Sequence, residues 1–258
     1  MSAVPEMDWT AASMPAPRWR IRAGHAAAIF AAALALTFIA GIGGVRLWSR
    51  FVGPFPDAAI DLIGIALPAL ATLIAVRTIG IGGFGLAWRD FGLTRAPKRS
   101  WIVAMLVWLA CLPLLAAILY ATKELTGTTP IAEQTRMLPH GALDDWRITL
   151  PLGALMIFVA PFGEELLFRG ILFGALRRRW RFWPCAVLAG AAFAAVHMIP
   201  AVLAPAFVLG VAFAHIYERS RSIWPAVFFH ALHNALVFAA SVAERRVLAD
   251  ILGLLPTI

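Results

Sequence analysis

Residues 163–170 read Gly-Glu-Glu-Leu-Leu-Phe-Arg-Gly, two adjacent carboxylates and a guanidinium inside a long apolar run. An isolated charge at mid-bilayer costs roughly 2.5–3.5 kcal/mol, so three would cost on the order of 8–10 kcal/mol unless they were paired. Glu165 and Arg169 are spaced i and i+4 with the acid first, the favourable order for a helical ion pair. Glu164 points about 100° away and need not share that partner. Phe193-Ala-Ala-Val-His197 then places an imidazole in a second apolar run, and His230-Ala-Leu-His233-Asn234 places three polar side chains in a third. His230 and Asn234 fall on one helical face, with His233 on an adjoining one. A carboxylate and an imidazole sharing a water can polarise it for attack on a carbonyl. An imidazole N–H and an amide N–H can then hold the developing oxyanion, so these residues together match the needs of peptide hydrolysis. Each set taken alone also has a structural reading, as a clamp on Arg169 or as a polar seam between helices.

Other hydrolytic chemistries fit less well. There is no Gly-x-Ser-x-Gly elbow, and Cys111 and Cys185 lack basic neighbours in their segments. No His-Glu-x-x-His occurs, although Glu164, His197 and His230 or His233 offer N and O donors to zinc. The cofactor is therefore left unknown: none required, or a divalent metal such as zinc.

Glu164-Glu165-x-x-x-Arg169, Phe193-x-x-x-His197 and His230-x-x-x-Asn234, in this order on successive apolar segments, resemble the three motifs of the CPBP family. That family includes CAAX prenyl proteases of the Ras-converting type, their bacterial relatives and proteins linked to bacteriocin processing or self-immunity. The resemblance covers about residues 147–243. It implies that Glu164 and His197 activate water, that His230 and Asn234 form the oxyanion hole, and that Glu165 and Arg169 support the site. His233 lies outside the pattern, and the choice between His230 and His233 is open. Two other functions stand beside the endopeptidase: a non-catalytic immunity or partner-binding membrane protein of the same fold, and a proton-coupled transporter using Glu and His as a relay.

The elements that must position these groups are transmembrane helices. The 258 residues are 61% hydrophobic and 14% charged, with a mean hydropathy of +0.82, far more apolar than a soluble domain of this length. Spans are expected near 26–45, 58–76, 101–121, 148–176, 184–199, 201–217 and 223–243, with Pro200 in a tight turn. The apolar stretch 248–258 is either interfacial or part of an eighth helix. The fold expected is an all-α, polytopic bundle of about seven spans, possibly eight. It divides into a basic tail (1–25), N-terminal helices (26–146), a catalytic core (147–243) and a C-terminal tail (244–258). At ~1.5 Å per residue, Glu164, His197, His230 and Asn234 come out at roughly 20, 21, 10 and 16 Å from the basic ends of their helices, so they can converge at depth.

Lys and Arg concentrate in 1–25, 77–100, 177–183 and 218–222, which puts the amino terminus in the cytoplasm of a multi-pass protein. The net charge of +8 is thus a matter of topology and anionic lipid. No aromatic-interleaved basic patch suggests nucleic acid. The cysteines read as core hydrophobes, without a disulfide framework. Arg-rich, Lys-poor usage suits a bacterial cytoplasmic membrane, and the expected partners are the lipid bilayer and a peptide or protein substrate at its surface.

Overall fold

The computed structural model describes residues 19–54, 57–136 and 145–251. They form eight helices: α1 (Ala23–Phe51), α2 (Asp57–Ala75, continued by a π-helical segment Val76–Gly83), α3 (Lys98–Thr126), α4 (Pro130–Arg136), α5 (Trp146–Arg177), α6 (Phe182–Ala195), α7 (Pro200–Ser220) and α8 (Trp224–Ile251). No strand occurs among the described residues. Six helices, α1, α2, α3, α5, α7 and α8, are long and apolar enough to cross a membrane, and α6 is a shorter apolar helix. The protein is therefore a polytopic helical membrane protein. Most of the proposed tail at 1–25 and the stretch 252–258 lie outside the described residues, while α8 carries the chain as helix as far as Ile251.

Burial orders the bundle. Half of the apolar window of α7 is inside the protein, against 11% for α1 and 17% for α3, so α7 is central and α1 and α3 are peripheral. The outer faces carry large apolar side chains such as Phe38, Ile39, Ile102 and Leu106, as a lipid-facing surface requires. Three apolar clusters fill the interior. One joins α1, α2, α5, α6 and α7, a second joins α3, α7 and α8, and a third surrounds Phe168 and Phe193.

Small residues set the closest crossings, as expected where helices associate by packing rather than by a hydrophobic drive. A Cβ on Gly210 would lie 2.7 Å from the Cα of Gly190, so α6 and α7 meet backbone to backbone. A Cβ on Gly163 would lie 2.5 Å from the Cβ and 2.6 Å from the Cα of Ala69, which draws α2 against α5 one residue before Glu164. The obstacle there is backbone and cannot swing aside. Gly163→Ala is therefore expected to destabilise the protein by about 1–3 kcal/mol and to slow any Glu164-dependent reaction. Thermal unfolding in detergent beside an activity assay checks both.

Two departures from the sequence-based expectation concern the region after Phe193. The fifth helix ends at Ala195 instead of running through His197, so His197 occupies the turn that follows. Pro200 is not in that turn either; it is the first residue of α7, after Ile199 as N-cap. Proline's fixed φ and missing N–H suit a first helical position, and Met198, at φ 53°, reverses the chain just before it. With 14 residues α6 is only about 21 Å long, shorter than the ~30 Å apolar core of a bilayer. Its end therefore falls at depth, where irregular backbone is tolerated if it lines a cavity. At the opposite end of this hairpin, Arg177 holds Glu218 through two hydrogen bonds of 2.7 and 3.0 Å, tying α5 to α7.

Candidate active site

The four residues singled out for chemistry, Glu164, His197, His230 and Asn234, line one cavity of about 400 Å³. Helix α2 closes its far side with Gly64, Pro68 and Thr72, and Gln134 of α4 stands at its edge.

Helix α5 is not uniform where it supplies the carboxylates. Segments of π-helix at Leu155–Val159 and Leu166–Phe173 flank a single α-helical stretch, Ala160–Glu165. Such widened turns re-aim side chains and free backbone carbonyls, and they occur often at functional sites. Pro161, at the start of the α-helical stretch, has no N–H to return to the turn before it, which suits a local break in the ladder.

Glu165 and Arg169 are both fully buried and form an ion pair at 2.9 Å. Arg169 also donates to the carbonyl of Gly210 at 3.1 Å, and its guanidinium lies 4.6 Å from the ring centre of Phe193 and 5.4 Å from that of Phe213. The cation is thus held by a carboxylate, a carbonyl and two aromatic faces, the kind of compensation a buried charge requires.

Glu165 Oε1 also lies 2.9 Å from Nδ1 of His230. An oxygen held as a carboxylate by Arg169 accepts, so Nδ1 of His230 carries the proton and Nε2 faces the other way. That nitrogen is 3.6 Å from Oε2 of Glu164. The His230 ring stacks on Phe213 at 4.9 Å and meets Phe193 edge-on at 5.6 Å, so its plane is fixed. His197 is oriented in the same manner. Its Nδ1 lies 2.9 Å from the carbonyl of Phe193, which makes Nδ1 the donor and leaves Nε2 with a lone pair. Asn234 donates one amide hydrogen to the carbonyl of Met156 at 2.9 Å, within the first π-helical segment. Its second amide hydrogen is not used in that bond. Glu164 is the accessible member of the carboxylate pair, with 31% of its side chain exposed against none for Glu165.

His230, and not His233, stands between the two glutamates. His233 lines a separate, smaller cavity, and its Nδ1 has no hydrogen-bond partner among the described residues. Among those residues no group of three or more His, Cys, Asp or Glu side chains is placed to hold a metal ion. Nδ1 of His230 is engaged by Glu165 and that of His197 by a carbonyl, which leaves Nε2 of each neutral ring with its lone pair. Both cysteines are free.

Several members of the site were not singled out in the sequence. Phe213 and Gly210 carry no mark that separates them from other α7 residues, and Met156 contributes only its carbonyl. Gln134 sits in a polar connection where one more amide draws no attention. Pro68, inside an apolar segment, was the available signal for α2, since a proline at such a place disturbs a helix wherever it occurs.

A buried Glu–Arg pair, a second, accessible glutamate and two oriented histidines define the class: a helical membrane protein that gathers ionisable side chains about one cavity. Residues 146–236 match the family model described as Type II CAAX prenyl endopeptidase Rce1-like. The chain is also 34% identical over 79 residues to a protein of Bacillus subtilis (strain 168) named "Putative membrane peptidase YdiL". That similarity covers 31% of this chain and 32% of the relative, about a third of each. Together these matches show that the α5–α8 part of the chain is similar to Rce1-like endopeptidases and to a protein named as a membrane peptidase. No solved structure matches.

Proposed function

We propose that this protein is an intramembrane endopeptidase that hydrolyses a peptide bond with water activated by Glu164. The observation that carries the reading is the placement of the accessible Glu164 carboxylate 3.6 Å from Nε2 of a His230 ring whose other nitrogen is held by a buried carboxylate. Water between Glu164 and Nε2 of His197 loses a proton to the carboxylate as its oxygen attacks the substrate carbonyl carbon. The carbonyl π electrons move onto oxygen. Asn234 meets that oxyanion with its free amide hydrogen.

The neutral His230 ring already spends its N–H on Glu165, so it meets the oxyanion only as the imidazolium formed when Nε2 takes up a proton from solvent before the attack. Glu165 stabilises that imidazolium as the buried acid of a hydrolase triad stabilises its histidine. When the intermediate collapses, the C–N bond breaks and the proton held by Glu164 passes to the departing amine. No step needs a metal.

The substrate is a peptide or protein segment reaching the cavity from the membrane. Its prenylation is not required by any residue of the site. The distribution of Lys and Arg supports an amino terminus on the cytoplasmic side, and Arg-rich, Lys-poor usage supports a bacterial cytoplasmic membrane.

The test is cleavage of a peptide library by the full chain reconstituted in vesicles. Asn234→Ala is expected to lower kcat about 10²- to 10³-fold, the usual cost of one oxyanion donor, with KM little changed. A kcat for Asn234→Ala equal to that of the wild type would remove the oxyanion assignment. An absence of any cleavage by the wild type would remove the peptidase reading.

A further inference from the structure

Behind the catalytic chamber lies a second cavity of about 100 Å³, enclosed by α3, α4, α7 and α8. The two spaces share Gln134, His197, His230 and Asn234 in their linings, so they adjoin at these side chains. A group docked in the smaller space is adjacent to whatever bond is held at Glu164. Its volume is that of about three water molecules at ~30 Å³ each, enough for a side chain of three or four heavy atoms and too small for an aromatic ring system. Leu115, Val202, Ala206 and Leu209 make most of its lining apolar.

Two polar groups in this lining lie outside the catalytic set, His233 and Gln134. His197, His230 and Asn234 each have a hydrogen-bond partner in the protein, namely Phe193, Glu165 and Met156. His233 lines the small cavity, and its Nδ1 has no hydrogen-bond partner among the described residues. Its ring lies outside the Glu164–Glu165–Arg169 assembly, which is complete without it. Gln134, at the border of the two spaces, brings an amide able both to donate and to accept. An apolar pocket that needed only aliphatic packing would be better lined by leucine at 233, since a polar side chain left unpaired in a buried pocket opposes folding.

We infer that this cavity is the specificity subsite for the residue flanking the scissile bond, and that it selects a compact side chain carrying one hydrogen-bonding atom, threonine being the best fit. The methyl group of threonine packs on Leu115 and Leu209, while its hydroxyl reaches His233 or Gln134. Valine has the same shape but leaves both groups unpaired, and phenylalanine does not fit. His233 is here a specificity-determining residue that takes no part in the proton transfers. The inference rests on the peptidase reading above.

The experiment uses the full chain in vesicles. Cleavage sites are first read from a peptide library, and matched peptides are then made with Thr, Val or Phe at each position flanking the cut. At one of the two positions Thr is expected to exceed Val in kcat/KM by about 10-fold, the worth of one hydrogen bond of about 1.4 kcal/mol, and Phe is expected to be rejected. In His233→Leu the Thr/Val ratio falls to within about two while the valine peptide is still cleaved; in His233→Asn part of the preference survives. A selectivity ratio moves in this way only if the side chain meets the substrate, since a merely structural residue would lower both rates together. Equal rates for Thr and Val in the wild type, or a preference unchanged in His233→Leu, overturn the subsite. Cleavage that persists in Glu164→Gln overturns the peptidase reading instead, whereas Glu164-dependent cleavage indifferent to Thr and Val overturns the subsite alone.

Discussion

Glu164→Gln is expected to lower the cleavage rate by roughly 10³- to 10⁴-fold, near the upper range for loss of a general base, with no loss of membrane insertion or thermal stability. The two side chains have nearly the same shape, and Glu164 is the partly exposed acid of the pair, without a direct hydrogen bond in the protein. Removing its charge therefore leaves no buried partner stranded. What is lost is the only carboxylate among the described residues that lines the cavity, and with it the group proposed to take a proton from water. Steady-state kinetics with a peptide found for the wild type, beside a melting curve in the same detergent, make the comparison. A variant that cleaves at the wild-type rate would end the mechanism proposed here. A variant that fails to fold would show that Glu164 supports the bundle, contrary to its exposure.

Glu165→Gln should behave in the opposite way, with stability falling first. Arg169 is fully buried, and the 2.9 Å pair with Glu165 supplies its opposite charge. Breaking a buried pair by removing one partner typically costs about 3–5 kcal/mol, because an uncompensated charge is left inside. Replacing both members, as Glu165→Leu with Arg169→Met, removes the stranded charge and should recover most of that loss. Activity should not return with it. Nδ1 of His230 would have no acceptor at Glu165, so the ring would lose its tautomer and the counter-charge for its imidazolium form. A double variant that regained both stability and cleavage would show that Glu165 serves only the ion pair. Unfolding and kinetics on the single and double variants, taken together, separate the two roles.

Several parts of this organisation were legible along the chain. The apolar stretches gave the order of the long helices, because spanning a bilayer imposes a length and a composition; of the seven spans expected, six are long enough to cross and the one expected at 184–199 is the shorter α6. The i, i+4 spacing of Glu165 and Arg169 gave their pairing, which the helix makes locally. The order of the three motifs gave the likeness to the family model that matches residues 146–236. The end of α6 was not legible. Residues 184–199 are apolar throughout, and nothing in the hydropathy separates a helix that stops at Ala195 from one that continues. Met198 in a left-handed conformation and Pro200 opening α7 are settled by the hairpin that α6 and α7 form over Gly190 and Gly210.

The sequence by itself determined that this is a helical membrane protein carrying charges it cannot leave unpaired, because burial in lipid makes every ionisable side chain a demand for a partner. It did not determine which partner. That His230 bridges the two glutamates while His233, three residues on, turns to another cavity follows from the rotation of α8 against α5. That rotation is fixed by contacts between residues far apart in the chain, the Phe213 face under the imidazole and the Met156 carbonyl on Asn234 among them. Helical periodicity allows either histidine to point inward. Only packing across several helices, whose small and aromatic residues look alike in sequence, decides between them.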